Sequence, residues 1–280
     1  MVYCRCQGSI CNVHILKLDP TTPVGPFTAG NYSDSIHVNM SYTLGKSDSF
    51  MSLLSDLYRN PANIEMLNEV KRRMKRAHSH RAMFDDIEAE IVCLLLMHTN
   101  PSLVHEFSPC WGWSTLYMLN TLDVMKSPTG RVVSFDIEDN CTKTIHAFDT
   151  LANRWEFRLG NVENEYKTFT SDIDYLFIDS DHSTEFAQKY VDELLTPLLA
   201  QLKAANKKIF VSVHDVFHSP VPKEEGAVVI RFLETHGIEY FSPANSLHKP
   251  VLDGLRHASA LNTSTIHNYF ANSCIFFELG

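Results

Sequence analysis

The sequence predicts an α/β fold in which a mostly parallel sheet of seven strands carries helices on both faces. From about residue 85 onward, short apolar runs rich in β-branched and aromatic residues alternate with longer segments of helical periodicity. The runs are apolar at nearly every position, which is typical of strands buried between two layers of helices. Most of them end in a polar side chain, so one edge of the sheet would collect these groups.

Two helices are predicted ahead of the sheet domain. The first covers residues 50–58, and the second begins at Pro61 behind a capping Asn60. Residues 71–76 end the second helix with five Lys and Arg side chains. We interpret this run as a solvated helix end rather than a phosphate contact, because it contains no aromatic residues and the chain is acidic.

The elements of the sheet domain follow in a regular order. The predicted strands cover residues 103–107, 131–137, 155–159, 173–179, 208–215, 238–241 and 274–278. The predicted helices cover residues 85–96, a segment from residue 114, and residues 145–151, 185–204 and 224–236. Residues 242–273 form a long, turn-rich connection of weak periodicity. We divide the chain into an N-terminal extension of loops and helices, residues 1–84, which is a candidate substrate lid, and a sheet domain, residues 85–280.

Composition excludes several classes of protein. A length of 280 residues with 44% apolar residues suits one large domain with an appendage. The net charge of −9 disfavours a nucleic-acid backbone as the main partner. No apolar run approaches the roughly 20 residues of a membrane span, and the N-terminus lacks the pattern of a secretory signal. We therefore expect a cytoplasmic protein without a membrane partner, and we leave its oligomeric state open, a homo-oligomer included.

The seven cysteines are an odd number scattered along a large chain, which indicates reduced thiols. Cys4, Cys6 and Cys11 would need His14 to complete a zinc site, and they lack the spacing of a zinc finger. We therefore interpret them as free, partly buried thiols.

The loop after the first predicted strand, residues 106–114, excludes a dinucleotide. The dinucleotide fingerprint needs three glycines so that a pyrophosphate can touch the backbone. Here Gly112 is the only glycine, and bulky residues leave room for a ligand without a pyrophosphate. Asp136 ends the second strand, where its carboxylate could accept hydrogen bonds from a ribose diol.

These motifs together resemble class I methyltransferases that use S-adenosylmethionine (SAM) and have a Rossmann-like fold. The resemblance is greatest to the branch of sugar, macrolide and catechol-type O-methyltransferases, and it covers roughly residues 85–280. It rests on Glu106-x-Ser108-x-x-x-Gly112-Trp113-Ser114-Thr115, Asp136, Gly160-Asn161, residues 173–183 and His214-Asp215-Val216. The first loop departs from the family, because Ser108 stands where glycine is usual. The segment that ends in Asp179 and His182 is the more specific match.

The resemblance implies roles for the residues at the strand ends. Those implied to surround the methionine part of SAM are Glu106, Ser108, Gly112, Trp113 and Ser114. Asp136 would hold the ribose hydroxyls, Asn161 with Val162 would border the adenine, and Asp179 would complete the cofactor site. Glu106 could instead be a strand-end carboxylate that braces the loop before the next helix, and Trp111 and Trp113 could be plain core residues.

A divalent cation is also implied by the resemblance, with Asp179, His214 and Asp215 as its ligands. The family usually has an acid at the position of His214. Magnesium prefers oxygen ligands, whereas imidazole suits manganese, iron or zinc. His214 therefore indicates either a metal softer than magnesium or a site that has lost its metal. The candidate cations are manganese and magnesium.

His182 stands three residues after Asp179, at the position where sugar-modifying relatives carry a general base, and His214 is the second candidate for that role. The implied reaction transfers the SAM methyl group to a hydroxyl of a small polar acceptor, with a sugar of a glycan or glycosylated metabolite as the leading class. The alternatives are an RNA-cap or nucleoside methyltransferase and a catalytically degenerate methyltransferase-like binding module. The acceptor pocket would come from residues 78–84, the loop after Asp215 and residues 242–273.

Overall fold

The computed structural model describes residues 47–75, 84–216, 225–243, 248–262 and 274–280. Its strands are β1 (Leu103–Phe107), β2 (Arg131–Asp136), β3 (Trp155–Leu159), β4 (Tyr175–Ile178), β5 (Ile209–Val213), β6 (Tyr240–Phe241) and β7 (Ile275–Leu279). Its α-helices are α1 (Asp48–Arg59), α2 (Pro61–Met74), α3 (Asp86–Thr99), α4 (Trp113–Val124), α5 (Thr142–His146), α6 (Asp149–Ala152), α7 (Thr184–Tyr190), α8 (Thr196–Ala205), α9 (Glu225–His236) and α10 (Lys249–Ala258). A 3-10 helix covers Val162–Thr168, and a π-helical segment, Val191–Leu195, joins α7 to α8.

The seven strands form one sheet in the order β3-β2-β1-β4-β5-β7-β6. Strands β1 to β5 pair in parallel, and β7 runs antiparallel to both β5 and β6. The predicted fold class, a mostly parallel seven-stranded Rossmann-like sheet with helices on both faces, is therefore confirmed. No helix in the described residues is long and apolar enough to cross a membrane.

Strand β4 shows how the sheet separates two apolar cores. All four of its residues are buried, and successive side chains point to opposite faces. Tyr175 and Phe177 pack in one core with residues of α1 to α4. Leu176 and Ile178 pack in the other with residues of α8 and α9. A strand buried on both faces explains why its sequence is an unbroken apolar run.

Helix α3 is buried along almost its whole length, and its start is fixed by a capping box. The Asp85 carboxylate accepts a hydrogen bond from the backbone N–H of Ile87 at 2.7 Å, and the Glu88 carboxylate accepts one from the backbone N–H of Asp85 at 3.3 Å. The helix predicted to open at these acids is confirmed. Helices α1 and α2 contribute Leu54 and Leu67 to the same core, while the division of the chain at residue 84 stays a prediction.

The connection of residues 242–273, predicted to be turn-rich and weakly periodic, contains a helix that was not predicted, α10. Pro250 takes one of the first two positions of this helix, and Leu252 is buried against the core. The helix is short and contains Gly254, so its apolar period is too brief to stand out in the sequence. The cysteines considered for zinc, with His14, lie outside the described residues.

The basic run at the end of α2 is only partly a solvated helix end, because Arg72 is exposed but Lys71 is buried, which corrects the sequence interpretation at Lys71. Lys71 is 1% exposed and pairs with the equally buried Glu90 of α3. Arg256 of α10 also reaches Glu90, with its Nε 2.7 Å from Oε2. Arg72 and Arg73 both bond to Glu69 on the same helix. The pairs of Lys71 and Arg256 with Glu90 hold α2, α3 and α10 together, and the pairs with Glu69 neutralise much of the remaining positive charge of the run.

We expect Lys71→Ala to lower the free energy of unfolding by about 3 kcal/mol, because the change empties a buried position and removes one cation from the buried Glu90. The matched control is Arg72→Ala on the next residue. The Arg72 side chain is 52% exposed and its ion pair is screened by water, so its loss should cost much less stability than the loss of Lys71. Urea unfolding followed by circular dichroism measures both. Equal effects of the two substitutions would contradict a structural role for Lys71.

Candidate active site

The candidate site lies at the carboxyl ends of the parallel strands, where the loop after β1 makes a tight turn. The backbone N–H of Ser108 donates to the carbonyl of Phe135 at 2.7 Å, and that of Gly112 donates to the carbonyl of Pro109 at 2.7 Å. Ser108, Cys110 and Gly112 all have positive φ angles, of 56°, 49° and 81°. Only glycine adopts such angles at little cost, so the two other residues are held in the turn by their surroundings.

Glu106 stands directly before this turn and is fully buried. Its Oε1 accepts a hydrogen bond from the Ser114 hydroxyl at 2.6 Å, and its Oε2 accepts from the Thr115 and Ser134 hydroxyls at 2.7 and 2.6 Å. Burial raises the pKa of Glu106 to about 7, although the three hydroxyl groups oppose the rise. The carboxylate thus ties β1 to α4 and β2, as in the bracing alternative. Its contact with a cofactor stays a prediction.

Trp113 and Ser108, which were also predicted to lie at the cofactor, contact other side chains of the protein. Trp113 is buried and packs edge-on against Tyr117, with ring centroids 5.8 Å apart. The hydroxyl oxygens of Ser108 and Ser180 lie 2.6 Å apart, so the loop after β1 is joined to the loop after β4. The two halves of the candidate site are therefore held against each other.

Asp136 ends β2 and is half-buried beside this loop. Its carboxylate accepts hydrogen bonds from the backbone N–H groups of Glu138 and Cys110 at 3.2 and 3.3 Å. Burial raises the pKa of Asp136 above its ordinary value, and these two N–H groups oppose the rise. The carboxylate remains partly accessible at the end of the strand, where the ribose role was predicted.

Exposed apolar side chains lie in the segments next to Asp136, which the sequence reasoning did not predict and which excludes the core alternative for Trp111. Among the described residues, four large apolar side chains are exposed, and three of them are Trp111, Ile137 and Leu159, at 46, 72 and 67%. Trp111 lies in the loop after β1, Ile137 follows β2, and Leu159 ends β3 as the register partner of Asp136. An acid beside exposed apolar groups suits a ligand with a flat ring and adjacent hydroxyls.

The predicted adenine neighbours lie just beyond β3. Asn161 caps the 3-10 helix, where its side-chain oxygen accepts from the backbone N–H of Glu163 at 2.9 Å. Its amide nitrogen donates to the Glu163 carboxylate at 3.1 Å, and Val162 is buried. Both residues serve the local fold, and their contact with adenine stays a prediction.

A cluster of two carboxylates and two imidazoles lies at the ends of β4 and β5. Nδ1 of His214 lies 3.2 Å from Oδ1 of Asp179 and 3.4 Å from Oδ1 of Asp215. One ligand atom from each of these three residues lies within 4.8 Å of the other two. Two carboxylates and one imidazole nitrogen that converge in this way form a suitable donor set for a divalent cation.

The His214 ring is itself held tightly in place. The ring is buried, with Phe84 packed edge-on against it at 5.6 Å between centroids. Its second nitrogen, Nε2, lies 3.2 Å from Oε2 of Glu88. Burial by itself would lower the pKa of His214, but the carboxylates of Asp179, Asp215 and Glu88 outweigh it and hold the pKa well above its ordinary value.

His182 also lies near these two carboxylates. Its Nε2 is 3.9 Å from Oδ1 of Asp179 and 3.8 Å from Oδ2 of Asp215. Its Nδ1 is 2.7 Å from Oε2 of Glu225, the first residue of α9. Burial disfavours the charged ring, but Glu225 and the two aspartates raise the pKa of His182 to about 9.

Glu88 and Glu225 were not predicted as site residues. The capping box predicts that a helix starts near Glu88. No neighbouring residue in the sequence indicates that the Glu88 carboxylate reaches His214, 126 residues away. Glu225 opens a helix 43 residues after His182. Only the packing of α3 and α9 on the sheet brings the two glutamates to the histidines.

A protein-family model described as a methyltransferase domain matches residues 110–216. This stretch begins in the loop after β1 and ends just beyond the last polar pair, so it contains Asp136, Asp179, His182 and His214. The strand order and this match confirm the resemblance to class I methyltransferases that the motifs predicted. No curated protein matches the chain significantly.

Several solved structures are similar to this chain. An O-methyltransferase from Bacillus cereus in complex with S-adenosylhomocysteine is 15% identical and has a TM-score of 0.46, with 77% of this chain and 90% of that chain covered. The O-methyltransferase TomG from Streptomyces achromogenes, involved in tomaymycin synthesis and in complex with SAM, is 16% identical and has a TM-score of 0.44, with 86 and 98% covered. At these values the likenesses identify neither a cofactor nor an acceptor for this chain.

We expect the buried Glu106 to make stability depend on pH. Its pKa of about 7 lies above the ordinary value of 4.5, so the stability it contributes is full below pH 4.5 and is lost as the pH rises through 7. Relative to Glu106→Gln, the wild-type free energy of unfolding should fall by about 3 kcal/mol between pH 4.5 and pH 8. Urea unfolding of both proteins at several pH values tests this. A difference that does not change with pH would contradict it.

Proposed function

We propose that this chain is a SAM-dependent O-methyltransferase whose acceptor is a hydroxyl group of a small polar molecule. The observation that carries the proposal is that two chemically different groups of residues lie at neighbouring strand ends, in one crevice of a methyltransferase fold. An acid amid exposed apolar side chains lies at β2 and β3, and a cluster of carboxylates and imidazoles lies at β4 and β5. The Ser108–Ser180 contact joins the loops between them.

The β2 and β3 end has the chemistry of an adenosine site. Asp136 can accept hydrogen bonds from a ribose diol, as carboxylates at the end of a second strand do in dinucleotide sites. Ile137 and Leu159 offer apolar surface for the adenine ring, whose burial against them would favour binding. The methionine part would then extend along the loop from Ser108 to Ser114, toward β4.

The β4 and β5 end would receive the acceptor. A divalent cation on Asp179, His214 and Asp215, when bound, would orient the acceptor oxygens and favour their ionisation. In the transfer, the acceptor oxygen bonds to the methyl carbon as the carbon–sulfur bond breaks, which leaves a methyl ether, S-adenosylhomocysteine and one proton. The residues of the crevice would bring the two reactants into line, and proximity of this kind supplies much of the rate.

The proton of the acceptor hydroxyl needs a destination, and the sequence predicted His182, with His214 as second candidate. With its pKa raised to about 9, the His182 ring already carries a proton at neutral pH. Glu225 is the main cause of this rise, with smaller contributions from Asp179 and Asp215. A base role for His182 therefore requires that the charges of these three carboxylates be offset.

A sugar hydroxyl is the leading acceptor class within this proposal. Its support is the spacing of Asp179 and His182, which is similar to that of sugar-modifying methyltransferases. The nucleic-acid alternative is weakened by the basic run of α2, whose Lys71, Arg72 and Arg73 are engaged by carboxylates.

We also propose a reducing compartment such as the cytoplasm. Its support is that Cys93, Cys141 and Cys274 are buried thiols outside disulfides.

We expect SAM to bind the purified chain, and Asp136→Ala to weaken the affinity at least tenfold through the loss of charged hydrogen bonds to the ribose. The matched control is Asp172→Ala, an exposed acid before the amino end of β4, on the opposite edge of the sheet. Isothermal calorimetry measures all three proteins, and circular dichroism checks their folding. The control should retain the wild-type affinity.

Turnover separates an enzyme from a binding module. Release of S-adenosylhomocysteine in the presence of SAM and a panel of catechols, sugars and glycosides should show at least one accepted hydroxyl compound. No binding heat and no thermal shift with SAM would overturn the proposal and favour the degenerate binding module.

A further inference from the structure

Glu225 is a buried carboxylate to which the reaction proposed above assigns no role. It is the first residue of α9, and its side chain is only 2% exposed. Its Oε2 lies 2.7 Å from Nδ1 of His182, and its Oε1 accepts a hydrogen bond from the Tyr190 hydroxyl at 2.9 Å. A buried carboxylate is costly unless its oxygens are paired, so these two contacts fix where Glu225 lies.

The start of α9 lies close to the segment that follows β5, which brings Glu225 to the crevice. Gly226 permits this approach, because a Cβ at its position would clash with the backbone carbonyl oxygen of Val216. Val229 and Leu233 of the same helix are buried in one of the two apolar cores. Glu225 is therefore carried by a helix that the core holds in place.

The contact with Glu225 determines which nitrogen of His182 is turned toward the crevice. An ionised carboxylate only accepts hydrogen bonds, so the Nδ1 atom beside it carries the proton. Nε2 is then the nitrogen that lies 3.9 Å from Oδ1 of Asp179 and 3.8 Å from Oδ2 of Asp215. These two aspartates border the place of the acceptor oxygen in the proposed reaction. Glu225 thus directs Nε2 toward the proton that has to leave.

The two histidines differ in how far a substrate could reach them. The side chain of His214 is 1% exposed, whereas that of His182 is 34% exposed. Both nitrogens of His214 face carboxylates, with Nδ1 near Asp179 and Nε2 near Glu88. A general base has to come within hydrogen-bond reach of the proton that it accepts. The geometry therefore favours His182 over His214 for that role.

We propose that Glu225 is the positioning residue of His182, which it holds through Nδ1 so that Nε2 takes the proton of the acceptor hydroxyl. The inference rests on the proposed methyl transfer. As the acceptor oxygen bonds to the methyl carbon, its O–H bond breaks and the proton passes to Nε2. The ring then carries a positive charge, which the Glu225 carboxylate stabilises. Before the transfer, the hydrogen bond from Tyr190 offsets part of the charge of Glu225.

The first test compares Glu225→Gln with Glu234→Gln, the same change at an exposed position of α9. With the hydroxyl compound that the acceptor panel identifies, Glu225→Gln should lower kcat about 10–100-fold, because the ring loses its fixed orientation. The Kd of SAM and the KM of the acceptor should stay within about twofold of wild type, since the change affects the transfer step. Glu234→Gln should retain the wild-type kcat, and circular dichroism checks that both variants fold.

A double-mutant cycle separates positioning from a general structural role. If Glu225 acts through His182, then Glu225→Gln should have little further effect on kcat in a protein that already carries His182→Ala. Tyr190→Phe removes only the hydroxyl donor to Glu225, so it should lower kcat by a smaller factor and also lose its effect in His182→Ala. It replaces Glu225→Gln in the cycle if that variant does not fold. Losses that multiply in the double variants would overturn the proposal.

Nitrogen NMR of protein labelled at histidine reads the His182 ring directly and requires no turnover. The signals of the ring are assigned by their absence in His182→Ala. We expect Nδ1 to be bound to hydrogen in the wild type and the two nitrogen shifts to change in Glu225→Gln, while Glu234→Gln leaves them unchanged. Identical His182 signals in the wild type and Glu225→Gln would overturn the positioning contact.

Failure of this proposal can be distinguished from failure of the proposed function. SAM calorimetry and turnover of the wild-type protein report methyl transfer by themselves. Methyl transfer that proceeds at the wild-type rate in Glu225→Gln would overturn the positioning role and leave the proposed function standing. A wild-type protein that does not bind SAM would overturn the proposed function, and the role of Glu225 in methyl transfer with it.

Discussion

The register of the central parallel strands decides where the groups of the candidate site lie. Phe107 of β1 is the register partner of both Phe135 of β2 and Ile178 of β4, and Ile178 is the partner of Val213 of β5. The residues that directly follow these four positions are Ser108, Asp136, Asp179 and His214. A slip of one residue would turn apolar side chains of a strand toward the wrong core, so burial on both faces makes this register strongly preferred. Packing of the apolar cores thus fixes the strand register, and the register fixes the positions of the polar side chains in the candidate site.

Buried carboxylates are the second constraint on the site. An unpaired carboxylate in an apolar interior is costly, so each one is paired where it is buried. Glu106 is held by three hydroxyl groups, and Glu88 and Glu225 each face a histidine. Because these glutamates belong to β1, α3 and α9, the site groups that they contact inherit the rigidity of the core. A preorganised arrangement of this kind is what a site needs if it is to hold an ion or two reactants in a fixed geometry.

A structural feature was predicted correctly where it depends on residues that are close together in the sequence. Strands β1 and β3 have the predicted bounds, because each leaves a short run with several apolar or aromatic residues in the sequence, whether the strand is mostly buried, as β1 is, or half-exposed at the sheet edge, as β3 is. The helix α10 was missed because its apolar pattern lasts only a few turns and includes Pro250 and Gly254. Lys71 was assigned to solvent because a lysine near a helix end has the same local sequence whether it meets water or Glu90. The partners that decide such cases are distant in sequence.

The sequence by itself determined the α/β topology, the polar residues at the strand ends and the resemblance to methyltransferases, because each depends on a short pattern or on the fixed geometry of a parallel sheet. It also placed Asp179, His182, His214 and Asp215 at neighbouring strand ends. Only the tertiary structure decided that both histidines have buried glutamates behind them, and that exposed Ile137 and Leu159 border Asp136. These contacts join residues up to 126 positions apart, and they arise from how helices dock on the sheet, which no local pattern encodes.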